Sequence, residues 1–102
     1  MLIKFISGKD LRDFKFFGKM DPYIVLEHRN IKYKGEPDAE GHTEPIWRDS
    51  MEFPIFSMEE DIKISVLDQG IIRDECIGSN TFPVSHFLEN SNSEFSITIL
   101  HK

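Results

Sequence analysis

The chain has 102 residues, with 18 acidic side chains against 12 Lys and Arg and a formal net charge of −6 at neutral pH. That length suits one domain able to bury its own core, and that charge speaks against sequence-independent nucleic acid binding, which needs a basic face for phosphates. The single cysteine, Cys76, excludes an internal disulfide, and no apolar run reaches the length of a signal peptide core or a membrane span, so a soluble, cytoplasmic protein is expected.

The first predicted element is a strand over residues 2 to 8, in which Ile3 and Phe5 alternate with Leu2 and Lys4. A loop follows from Gly8 through a Phe-rich segment to Gly18. Apolar residues then recur at Tyr23 and Val25, and a Gly- and Pro-containing loop runs from Gly35 to Gly41. Met51, Phe53 and Ile55 alternate with Glu52 and Pro54, and Asp61-Ile62-Lys63-Ile64-Ser65-Val66 is the clearest strand of all. After the turn at Gln69-Gly70, Pro83–Glu89 has room for one short helical turn, and Phe95–Ile99 repeats the strand pattern. Alternation everywhere and helical period nowhere predict an all-β, antiparallel β-sandwich.

Four stretches in this order, "SGKDL", "GKMDPYIVLE", "TEPIWRDSMEFPI" and "IKISVLDQGIIRDECIG", resemble the C2 domain family over roughly the first 85 residues. The resemblance implies a sandwich of seven or eight strands, in the topology variant whose first strand is "LIKFIS". The final strand is either missing or supplied by "EFSITILHK". It also implies a cluster of aspartates at one end of the sandwich that binds Ca²⁺ and docks on phospholipid. Asp21 of "DPY" falls in that cluster, with Asp68 at the end of the later strand and Asp74 or Glu75 just before Ile-Gly. Two positions depart from the family pattern, since Lys15 and Gly70 stand where acids are expected. Ca²⁺ takes about six to eight oxygen ligands, and affinity follows ligand charge, so weak or absent Ca²⁺ binding is expected. Lys15 would then serve as the local counter-charge beside Asp21 and Asp68, unless Asp13 enters as a ligand through a slipped loop.

The same loops carry apolar and cationic residues suited to a membrane surface: Phe16, Ile71 and Ile72 with Lys15, Lys19 and Arg73. Phe17 reads as a packing residue, whereas Ile71 and Ile72 are neighbours on an extended segment and cannot both point inward. Lys32 and Lys34 are followed by Glu36, Asp38 and Glu40 and read as a solvated strand face, and Glu59-Glu60-Asp61 as solvated charge. The four histidines lack metal-ligand spacing, and Ser85-His86 has no strained elbow around it, so no catalytic group is indicated. Three functions stay open: a non-catalytic module that docks on anionic phospholipid with little need of Ca²⁺, a Ca²⁺-switched phospholipid-binding domain, and a module that binds another protein.

Overall fold

A computed structural model of the chain describes residues 1–13, 18–88 and 97–101. Its elements in chain order are β1 (Leu2–Ser7), β2 (Pro22–His28), β3 (Ile31–Lys34), β4 (Ile46–Glu52), β5 (Asp61–Asp68), β6 (Glu75–Pro83), α1 (Val84–Leu88) and β7 (Leu100–His101). Strands β1 and β4 pair antiparallel as one sheet, and the other five form a second antiparallel sheet in the order β3-β2-β5-β6-β7. The architecture is the expected all-β sandwich beginning at "LIKFIS". The C-terminal segment supplies β7, which pairs with Gly78 and Ser79, while the Asn80 amide donates to the Thr98 carbonyl at 2.9 Å.

The core lies between the two sheets. Alternation in β5 turns Ile62, Ile64 and Val66 inward to near-complete burial, against Ile24 and Leu26 of β2, Trp47 and Met51 of β4, Ile77 of β6, and Val84 and Phe87 of α1. The inward residues of β2 therefore differ from the sequence expectation. Tyr23 and Val25 occupy the opposite face, where Lys34 Nζ lies 4.7 Å above the Tyr23 ring and helps to cover it. Strand β4 also begins earlier than its alternation suggested and stops before Phe53-Pro54, because Pro54 has no N–H to continue a ladder. Phe53 stays buried, and its N–H donates to the Met1 carbonyl at 3.0 Å.

Three local features set the shape of the sandwich. Arg29 and Asn30 close the β2–β3 hairpin with φ of 52° and 65°, the two-residue left-handed geometry that matches strand twist. The β5–β6 register passes from Val66 opposite Gly78 to Leu67 opposite Cys76, a bulge that leaves Ile77 as the extra residue and buries it. A buried hydrogen bond crosses between the sheets, from the Trp47 indole N–H to the Pro22 carbonyl at 2.9 Å, and the Asp38 N–H donates to the same oxygen at 2.9 Å.

Glu60 is not the solvated charge that its acidic neighbours suggested. Its side chain is 14% exposed, Oε1 accepts the N–H groups of Phe56 and Ser57, and Oε2 lies 3.2 Å from Arg29 and 3.3 Å from the buried His28. With the Ser57 hydroxyl accepting from Glu59 N–H, this is a capping box around a single turn. The Phe56 N–H, followed by that of Ser57 and the adjacent His28 and Arg29, holds the Glu60 carboxyl below the usual carboxylate range.

Burial separates isoleucines that composition cannot. Ile62→Ala should cost about 2–5 kcal/mol in urea unfolding, whereas Ile71→Ala should lie within about 0.5 kcal/mol of the parent protein.

Candidate functional site

The end of the sandwich formed by the chain before β2 and the β5–β6 loop gathers most of the residues singled out in the sequence. The Asp21 N–H donates to Asp68 Oδ1 at 2.8 Å, and the Gln69 N–H donates to the Asp21 carbonyl at 3.1 Å. Pro22 pairs opposite Asp68 but has no N–H, so the Asp68 carboxylate takes up the neighbouring amide where the ladder runs out. Asp21 in turn uses Oδ1 to accept the Glu40 N–H at 2.7 Å, which fixes the loop before β4 to the same corner. Asp21 and Asp68 are thus neighbours, each with an oxygen committed to a backbone amide.

The other acids are engaged elsewhere. Asp74 accepts the Tyr23 hydroxyl on Oδ2 and the Gly70 N–H on Oδ1 at 3.0 Å, closing the β5–β6 loop on itself. Glu75 lies 3.5 Å from Arg73 at the surface. Asp13 lies 3.2 Å from His42 Nε2, while His42 Nδ1 accepts the Met20 N–H, so the neutral imidazole carries its proton on Nε2 toward Asp13. Lys15 and Phe16, with the counter-charge role expected of Lys15, fall outside the described residues.

Among the described residues, no three His, Cys, Asp or Glu side chains converge on a common metal position. Ca²⁺ needs about six to eight oxygens, and Asp21 with Asp68 offers a fraction of that set, so these residues do not by themselves fit the ion.

The loop between Gln69 and Asp74 presents a different chemistry. Ile71 and Ile72 are 105% and 96% exposed, and Arg73, next in sequence, and Lys19, two residues before Asp21, are exposed as well. Gly70 makes this shape possible, because a Cβ there would collide with the Arg73 carbonyl oxygen. The Gly18 that opens the preceding stretch has φ of 74°, a conformation other residues rarely take.

Tyr23, His42 and Glu40 were not legible as parts of this end. Tyr23 matters most, because its hydroxyl ties the β5–β6 loop to β2 through Asp74. Burial, then the Asp74 hydrogen bond and charge, push its pKa from 10.0 up to about 12. The Tyr23 hydroxyl, then the Gly70 N–H and Lys34, hold the Asp74 carboxyl below its usual range. Signs follow from linkage: the Asp74 contribution is present above the unfolded carboxylate pKa and is lost as pH falls through its depressed folded value. That of Tyr23 is complete below 10.0 and is lost as pH rises through about 12. Asp74→Asn and Tyr23→Phe should each speed amide exchange at Gly70, and the double variant should do so no more than the worse single one. Additive effects would show that the two groups act separately.

Comparison with known proteins agrees with this geometry. The family model described as the C2 domain matches residues 1–99. Phloem protein 1 of 16 kDa from Arabidopsis thaliana is 31% identical over 93 residues, covering 85% of this chain, and phloem protein 2 from the same plant is 28% identical over 88 residues. The chain spans 60% of the length of each of these relatives. Among solved structures, a C2 domain-containing protein superimposes with a TM-score of 0.74 at 26% identity, covering 98% of this chain and 75% of that one. A structure of two C2 domains of extended synaptotagmin 2 gives a TM-score of 0.74 at 24% identity, covering 86% of this chain and 31% of that one, a likeness of fold.

Proposed function

The chain belongs to the C2 domain family, and from that premise we propose that it is a non-catalytic targeting module that docks on anionic phospholipid through its loop tips with little dependence on Ca²⁺. Such modules generally serve membrane attachment or interaction. The observation that carries the reading is the exposure of Ile71 and Ile72, adjacent aliphatic side chains fully in solvent at the acidic end of the sandwich. Burying one isoleucine is worth roughly 1.5–3 kcal/mol, and a Lys or Arg near an anionic surface about 1 kcal/mol. Two isoleucines with Arg73 and Lys19 reach several kcal/mol before ordering and desolvation are subtracted, the scale of reversible docking. Phe16 and Lys15 would add to this surface from the preceding loop.

The modest Ca²⁺ dependence rests on the donor set. Asp21 and Asp68 share a corner, but Asp74 is bound to Tyr23 and Gly70, and Glu75 faces Arg73. Recruiting Asp74 to an ion would break the contacts that hold the isoleucines out. No described helix is long and apolar enough to cross a membrane, and the proposed role is peripheral association from the cytoplasm.

Co-sedimentation with phosphatidylserine-containing vesicles, in parallel with excess Ca²⁺ and with chelator, tests the proposal. Binding is expected in both, with loss of most of it in the Ile71→Ser, Ile72→Ser double variant at unchanged melting temperature. Binding confined to the Ca²⁺ arm would establish the calcium-switched alternative. Absence of the protein from both pellets would turn the assignment to a protein-binding module.

A further inference from the structure

Charge is distributed unevenly along the chain, and the fold gives that asymmetry a direction. The first 20 residues carry five Lys or Arg against two acids, a formal +3 inside a chain of −6. Strand β1 and the segment leading to β2 are therefore the basic part of an acidic molecule, and an anionic surface favours the approach that turns them toward it. Strand β1 runs beside β4 toward the end that holds Asp21 and Asp68. The Gly8 N–H donates to the Pro45 carbonyl at 2.9 Å, and the Ile46 N–H donates to Asp38 Oδ2 at 2.9 Å. Asp38 is itself bonded to the Pro22 carbonyl, so the near end of the β1–β4 sheet is tied to the corner that carries the loop tips.

The outward side chains of this sheet change character with distance from that corner. Ile46 is 67% and Ile6 52% exposed, and both line one shallow groove with Arg48, Lys4 and Ser50. Arg48 and Lys4 stand two residues further along their strands, also exposed, with Ser50 opposite Lys4 and Glu52 opposite Leu2 at the far end. At about 3.3 Å per residue, the cations lie roughly 7 Å behind the isoleucines and Glu52 roughly 20 Å behind Ile46. Aliphatic, then cationic, then acidic is the order of acyl chain, phosphate and water at a membrane interface, where apolar groups enter by about 5–10 Å. Asp49 does not interrupt it, because its Oδ1 is turned to the Glu36 N–H at 3.1 Å. Glu44, exposed two residues before Ile46, offsets part of the charge. All these side chains belong to the outer face, so a further strand paired beside β1 would leave them projecting as before.

We propose that the outer face of β1 and β4 is a second part of the membrane-docking surface. The domain then meets anionic phospholipid in a tilted attitude, with Ile6 and Ile46 entering beside the loop tips and Lys4 and Arg48 at the level of the phosphates. The proposal rests on the docking reading above and adds the attitude in which docking occurs. Lys9 and Lys19, exposed on the segment between β1 and β2, belong to the same basic stretch. An upright attitude would use the β5–β6 loop and leave the aliphatic and cationic side chains of this face in water.

Two fluorophore positions in a Cys76→Ser background separate the attitude from docking itself. Gln69→Cys carries the label at the loop tip and Ser50→Cys on the β1–β4 face, and vesicles of phosphatidylserine and phosphatidylcholine bear a nitroxide on the lipid headgroup as quencher. Quenching is expected at both positions. Quenching at Gln69→Cys alone would overturn the tilted attitude and leave the loop-tip reading standing, whereas quenching at neither would overturn both. Quenching at Ser50→Cys alone would keep the face and overturn the tips. In co-sedimentation with the same vesicles, the Ile6→Ser, Ile46→Ser double variant should lose about tenfold in partition, and Lys4→Glu, Arg48→Glu at least about tenfold at low salt. Each should melt close to the parent protein, since the side chains replaced are exposed. Neither variant alters Ile71 or Ile72, so parental partition in both would overturn the membrane role of the face and leave it to a protein partner.

Discussion

The buried carbonyl of Pro22 is the joint on which the acidic end of the molecule depends. It receives the Trp47 indole N–H from one sheet and the Asp38 N–H from the loop before β4, both at 2.9 Å. In a low-dielectric interior an unpaired carbonyl is expensive, so this oxygen strongly favours the arrangement that brings both donors to it. Proline contributes in a second way: lacking an N–H, it ends the β2 ladder, and the Asp21 amide and the Asp68 carboxylate complete the edge between them. The acid before proline thus has a structural role whether or not an ion or a membrane is present.

That dual use explains how a loop end whose sequence departs from the family's acidic pattern can still hold its form. A cation site holds loops together by drawing carboxylates to a common charge. Here backbone amides serve a similar purpose, with Glu40 donating to Asp21, Asp21 to Asp68 and Gly70 to Asp74. Hydrogen bonds from amides to carboxylates are charge-assisted and short, and they need no concentrated positive charge at the centre. At the opposite end, Glu60 collects the Phe56 and Ser57 amides in the same manner.

Much of the fold could be read from the sequence because strands announce themselves by alternation. β1 and β5 show it plainly, and the order of the four motifs fixed their arrangement. β2 was harder: it is buried on both faces, so alternation did not distinguish Ile24 and Leu26 from Tyr23 and Val25. The β2–β3 hairpin was hidden as well, since its left-handed turn uses Arg29 and Asn30 without the glycine that usually marks one. At the site, the neighbourhood of Asp21 and Asp68 came from motif order, and the exposure of Ile71 and Ile72 from the impossibility of turning both inward. The Tyr23–Asp74 and His42–Asp13 contacts were invisible because each joins residues far apart in sequence, through side chains whose direction only the packed strands determine. Glu60 was misread for a related reason: a run of three acids looks solvated until the turn that one of them caps is known.

The bulge between β5 and β6 has an effect beyond local twist. By absorbing Ile77 as an extra residue, it separates the register of the core from the register of the loop between Asp68 and Glu75. Residues on the loop side of the bulge can be inserted, deleted or exchanged without moving Ile64, Val66 or Gly78 to the wrong face. The molecule therefore has a mechanical buffer between an interior of fixed geometry and an exposed loop free to vary. Such a buffer lets the loop change in sequence while the sandwich behind it folds by unchanged rules.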